Sequence, residues 1–169
     1  MITKIDFEEY CKKNNLRYKF EDKHYEEIIL THWNNNNLFI VLCCYGYIET
    51  AKWLLTLGEI NIHLNNEDAF RTSCYYGHLE VIKWLNEISE KNKEMINIHA
   101  NNEEAFRNSC FGHLEVAKWL IKISKENGEM INIHASDEKA FIISCVNGQR
   151  NNLQSKLFRF QHYFAQSAK

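Results

Sequence analysis

Three histidines and four cysteines recur along this chain at nearly constant spacing, and both residue types can do chemistry. His63, His99 and His134 stand 36 and 35 positions apart; Cys43, Cys74, Cys110 and Cys145 stand 31, 36 and 35 apart. Imidazole nitrogen and thiolate sulfur are both zinc ligands, at about 2.0–2.3 Å. A cysteine beside a histidine can also act as a nucleophile. The spacing argues against both. There is no Cys-x-x-Cys or His-x-x-x-His pair with which to start a metal site. Equivalent residues on neighbouring stacked helices lie about 8–10 Å apart, too far to share one ion. The recurring cysteines replace a small buried residue, so they read as free core thiols of a reducing compartment rather than as three disulfides. The sequence contains no glycine-rich phosphate loop. Glu67-Asp68 and Glu103-Glu104 read as helix-start charges rather than an acid/base pair. The expectation is a chain with no catalytic residue, no metal and no cofactor.

The period extends to residues without chemistry. Trp53, Trp84 and Trp119 recur with it, and Ile-Asn-Ile-His begins at Ile60, Ile96 and Ile131. The block Ser73-Cys74-Tyr75-Tyr76-Gly77-His78-Leu79-Glu80-Val81 returns as Ser109-Cys110-Phe111-Gly112-His113-Leu114-Glu115-Val116. A repeat of this length means a stacked array in which each unit buries its apolar face against its neighbours. In the unit starting at Asn65, Asn66 can cap a helix over about 67–76, with Glu67 and Asp68 in its first turn. Gly77 can close that helix in a left-handed conformation. A second helix starts near His78-Leu79, with Val81, Ile82, Leu85 and Ile88 on one apolar stripe. Ile96-Asn97-Ile98-His99 then alternates as a short extended segment does. The tryptophans read as packing residues between units.

These motifs resemble the ankyrin repeat. The family's helix-opening Thr-Pro-Leu-His corresponds to Asp68-Ala69-Phe70-Arg71, Glu104-Ala105-Phe106-Arg107 and Lys139-Ala140-Phe141-Ile142. Its Ala-Ala pair corresponds to Ser73-Cys74, Ser109-Cys110 and Ser144-Cys145. Its Gly-His turn matches Gly77-His78 and Gly112-His113, and its Gly-Ala-Asp-Val-Asn stretch matches Gly58-Glu59-Ile60-Asn61. The Asn-rich, Pro-free variant with Lys-Trp-Leu resembles ankyrin proteins encoded by giant DNA viruses of amoebae. The resemblance implies an all-α solenoid of helix-turn-helix units with short finger loops. About four repeats are expected over 35–150. Residues 1–34 are expected to form a helical cap or degenerate repeat, with helical patterns at 5–13 and 22–33, and 151–169 a capping helix. The family's Thr–His hydrogen bond has no counterpart here. Five extra residues separate Trp from His in the later units, which lengthens the second helix or its loop. One residue is missing at Cys110-Phe111-Gly112, which predicts an irregular turn there, since one deletion rotates a helix face by about 100°.

By this resemblance, partners are held on the concave face formed by fingers and first helices. The finger positions are Asn65 and Glu67, then Asn101 and Glu103. The outward first-helix positions are Arg71, Tyr75 and Tyr76, then Arg107 and Phe111. Tyr and Arg dominate many interfaces; the alternative role for the aromatics is packing into the next unit. The partner is expected to be a protein, of a host if the viral resemblance holds. A net charge of −2 with no dense basic cluster argues against nucleic acid. No secretory signal and no run of 18 apolar residues is present. An intracellular monomer in the host cytoplasm is the resulting expectation. A ubiquitin-ligase adaptor and a vestigial fragment of a duplicated gene are the alternatives.

Overall fold

A computed structural model describes residues 4–15, 34–58, 60–140 and 142–143. Cys145, the pattern at 22–33 and the segment 151–169 lie outside the described residues. The chain divides into two compact units, Met1–Asn97 and Ile98–Lys169. Every described element is helical. The expected extended fingers are turns and irregular backbone, without a strand among the described residues.

The first unit contains α1 (Lys4–Lys13), α2 (Asn35–Cys44), α3 (Ile48–Thr56), α4 (Leu64–Tyr76) and α5 (Leu79–Asn92). Asn34 caps α2 by accepting from the Asn37 amide at 2.8 Å. Leu38 through Cys44 are then buried without interruption, because α2 packs against both α3 and α4. Trp53 on α3 stacks on Tyr10 of α1, with centroids 3.9 Å apart and 11° between planes, and Phe7 lies 5.9 Å away. Trp84 on α5 meets Phe39 of α2 at 6.0 Å. Both indoles are half-buried and face the preceding helices, as repeat packing requires.

α5 buries Val81, Ile82, Leu85, Asn86 and Ser89. Ser89, rather than Ile88, continues the stripe. Its hydroxyl donates to the Asn86 carbonyl and accepts from the Ile96 amide, which ties the helix to the finger that follows. α5 spans 14 residues against 9 for α3, so the five extra residues extend the helix.

The second unit contains α6 (Ala100–Ser109), α7 (Leu114–Glu126) and a helical segment at 135–140. α6 packs against α7, which buries Val116, Ala117, Leu120, Ile121 and Ser124. The missing residue has the expected local effect. α4 runs to Tyr76 and ends at Gly77 with φ +78, whereas α6 stops at Ser109 and passes through Cys110 and Phe111 to Gly112 at φ +127.

The turn joining α2 to α3 depends on Gly46. Its φ is +71, and a Cβ there would lie 2.6 Å from Nδ1 of His78. Gly46→Ala therefore combines left-handed strain with displacement of a ring. It is expected to cost about 2 kcal/mol in denaturant melts, and a cost below 0.5 kcal/mol on the same scale would contradict it.

Candidate functional site

Each finger turns through three consecutive residues in the left-handed region. Asn65, Asn66 and Glu67 have φ of 53, 56 and 65; Asn101, Asn102 and Glu103 have 53, 59 and 61; Ser136, Asp137 and Glu138 have 57, 55 and 60. The helix cap expected at Asn66 is therefore not the observed geometry. Regular helix begins at Asp68, and Glu67 belongs to the turn that precedes it. Asparagine tolerates this region because its short amide bonds locally, but a glutamate does not favour it.

Two side chains hold the turn in place. Arg71 is buried; its Nε donates to the Asn66 carbonyl at 2.7 Å and its Nη2 to the Asn65 carbonyl at 3.0 Å. Arg107 repeats this on Asn102 at 2.9 Å and Asn101 at 3.1 Å. The carbonyls that a left-handed turn exposes thus gain a charged donor. On the other side, His63 Nδ1 lies 2.9 and 3.0 Å from the two carboxylate oxygens of Glu67. His99 does the same with Glu103, and His134 meets Glu138 at 2.6 Å. A carboxylate only accepts, so Nδ1 is the donor in each pair.

Glu67 also reaches the next finger, where its Oε1 accepts from the Asn97 amide at 3.1 Å. In the second unit Glu103 accepts from the Asn132 amide at 3.0 Å. One repeat earlier, Asn36 Oδ1 accepts from the Asn61 amide at 2.8 Å. The Ile-Asn-Ile-His motif thereby acquires a physical reading. Its isoleucines are buried or partly buried, its Asn amide bonds the preceding finger, and its His grips the following glutamate. The Asn side chain closes its own turn, accepting from the His63 amide at 2.9 Å and from the His134 amide at 3.0 Å. The sequence reading missed this column. The recurrence of Glu67, Glu103 and Glu138 four residues after each recurring His was the available signal.

The structure divides the partner-facing set read from the sequence. Glu67 and Glu103 are buried, Arg71 is buried and Arg107 half-buried, and all four bind their own fingers. Asn65 and Asn101 are exposed at the finger tips, with Asn101 donating to Glu104. Tyr75 and Tyr76 lie at the other end of α4, roughly 12 Å along the axis from Asp68. They are 41% and 42% exposed, as is Phe111 at 42% beyond the end of α6. Tyr75 and Tyr76 make an edge-to-face pair with centroids 4.9 Å apart. The site is thus a braced finger end and a separate aromatic turn end.

The thiols have no nucleophilic arrangement. Cys43 and Cys74 are fully buried, and burial pushes both well above the ordinary thiol range. Cys11 is raised to about 11 by burial and then by Glu8. A thiol raised by folding favours the native state fully below its unfolded value, and that contribution is lost as pH rises through the folded value. Among the described cysteines Cys110 is the most accessible. In native protein at neutral pH it is expected to react first with iodoacetamide, with Cys43 and Cys74 modified only on unfolding; early modification of Cys74, read by mass spectrometry, would contradict the packing. Among the described residues, no three His, Cys, Asp or Glu side chains are grouped to hold a metal ion, and no helix is long and apolar enough to cross a membrane.

Known proteins supply the remaining comparison. No curated protein and no solved structure matches the chain. The family described as Ankyrin repeats (3 copies) matches residues 38–137. That span contains the finger turns, the glycine-closed helix pairs and the packing tryptophans described above, so by the match and by its own geometry the chain belongs to the ankyrin-repeat family.

Proposed function

We propose that this protein is a non-catalytic binding module whose partner is another protein. Ankyrin repeats generally mediate protein–protein interaction, and proteins built from them are typically non-enzymatic scaffolds. One observation carries the reading here. Large aromatic side chains stay exposed at equivalent helix ends, Tyr75 and Tyr76 in one unit and Phe111 in the other, while neighbouring polar side chains are committed to bracing the fingers. Exposed aromatics on a rigid frame provide binding area at low entropic cost. The contact set we propose is Tyr75, Tyr76 and Phe111, with Asn65 and Asn101 adding polar contacts at the finger tips. Glu67, Glu103, Arg71 and Arg107 act through the frame.

The Asn-rich, Pro-free variant of the repeat supports a giant-virus origin, and with it a host protein in the amoebal cytoplasm as partner. The buried free thiols suit such a reducing compartment. A photo-crosslinking residue placed at position 76, at 111, or at the exposed Lys122 of α7 tests the reading in host lysate. One partner recovered from 76 and 111 and not from 122 is the expected result. Equal yields at all three positions would contradict it.

A further inference from the structure

The turn end of the first unit is more aromatic than a helix pair requires. Tyr45 and Tyr47 flank Gly46 and stack with centroids 5.9 Å apart and 23° between planes. The His78 ring stands against Gly46. Tyr76 stacks on His78 at 6.5 Å and 18°, and Tyr75 meets Tyr76 edge to face. Five rings from two successive turns therefore form one connected edge. Tyr75 and Tyr76 are exposed, and Tyr45, Tyr47 and His78 are half-buried. Because Gly46 leaves room for His78, the rings are ordered before any ligand arrives.

The charge at this edge has one sign. The stretches 45–51 and 75–82 contain Glu49 and Glu80 and no Lys or Arg. Both glutamates open the first turn of the helix that leaves the edge, and both are well exposed. Each is tied through Oε1 to a lysine one turn on, Lys52 at 2.8 Å and Lys83 at 3.0 Å. Such exposed pairs are weak and exchange readily with a competing cation.

We propose that this edge, Tyr45, Tyr47, Tyr75, Tyr76 and His78 with Glu49 and Glu80, binds an arginine-bearing segment of the partner protein. It rests on the partner-binding reading above and names the chemistry of one contact. Tyrosine faces attract cations, and guanidinium stacks on them through its flat face while its fork engages a carboxylate. Lysine has the charge without the plane. Phosphate-bearing partners such as nucleic acid would meet Glu49 and Glu80 and be repelled. A second copy of the chain is a poor source of the guanidinium, because both arginines among the described residues, Arg71 and Arg107, are held by their own fingers.

The test uses the full chain and fluorescein-labelled dodecapeptides of alternating Ser with Arg, Lys or Glu, read by anisotropy. Saturable binding of the Arg peptide, about five-fold tighter than the Lys peptide of equal charge, is expected, with none for the Glu peptide. Tyr75→Leu/Tyr76→Leu keeps the apolar bulk and removes the rings; about ten-fold weaker binding is expected. Should that variant melt abnormally, Glu49→Gln/Glu80→Gln decides instead, with about three-fold weaker binding and a flatter salt dependence expected. The proposal is overturned if Arg and Lys peptides bind alike, if the decisive variant binds as wild type does, or if no Arg peptide binding saturates below about 1 mM, a free energy near −4 kcal/mol. A crosslinked partner at position 76 together with a failed Arg peptide would remove the arginine class and leave the binding module standing.

Discussion

Phe70→Ala is expected to destabilise the protein by about 4 kcal/mol in urea or thermal melts. The ring is fully buried on α4, which packs against α2 on one side and α5 on the other. Its removal leaves a cavity between helices whose faces are already filled. α2 offers no easy collapse, because Leu38 through Cys44 are all buried and engaged. In a stacked array the loss falls on one unit and its neighbours, so the transition should broaden as well as shift. A loss under about 1.5 kcal/mol would mean that α2 and α4 are less closely packed than described.

Glu67→Ala is expected to cost about 3 kcal/mol, although it removes a polar side chain and opens only a small cavity. Its carboxylate satisfies His63 Nδ1 and the Asn97 amide together. Each donor left buried without a partner costs about 1–3 kcal/mol. The left-handed turn at Asn65–Glu67 loses its brace on the same substitution. Glu67→Gln should recover part of the loss, since one oxygen can still accept. In a double-mutant cycle, His63→Ala and Glu67→Ala should be non-additive by about 1–2 kcal/mol. Additive effects would show that the pair is a surface contact and not a brace.

Much of the fold was legible because its signals are local and repeated. Gly77-His78 and Gly112-His113 mark the helix turns, Val81, Leu85, Val116 and Leu120 mark buried faces, and the shifted Trp-to-His spacing reports a longer second helix. The missing residue at Phe111-Gly112 predicted a shortened helix end, and α6 does stop at Ser109. The finger was harder. Asn66-Glu67-Asp68 reads as a cap and first turn, since helix starts and left-handed turns favour the same small polar residues. What separates them is long-range: Arg71 folds back on two carbonyls, and Asn97 donates from thirty residues away. A His and a Glu four apart also read as an ordinary helix pair until burial of the carboxylate shows otherwise. Of the candidate binding residues, the aromatics at 75, 76 and 111 are the exposed ones, whereas composition alone could not separate a buried arginine from a presented one.

The separation of frame from contact surface is tested most directly by Tyr75→Ser/Tyr76→Ser, with stability measured first and capture of the crosslinked partner second. The account predicts melting within about 0.5 kcal/mol of wild type, as for exposed side chains, together with loss of the partner. Full retention of the partner, or a loss of several kcal/mol in stability, would contradict it by making the two tyrosines bystanders or packing residues.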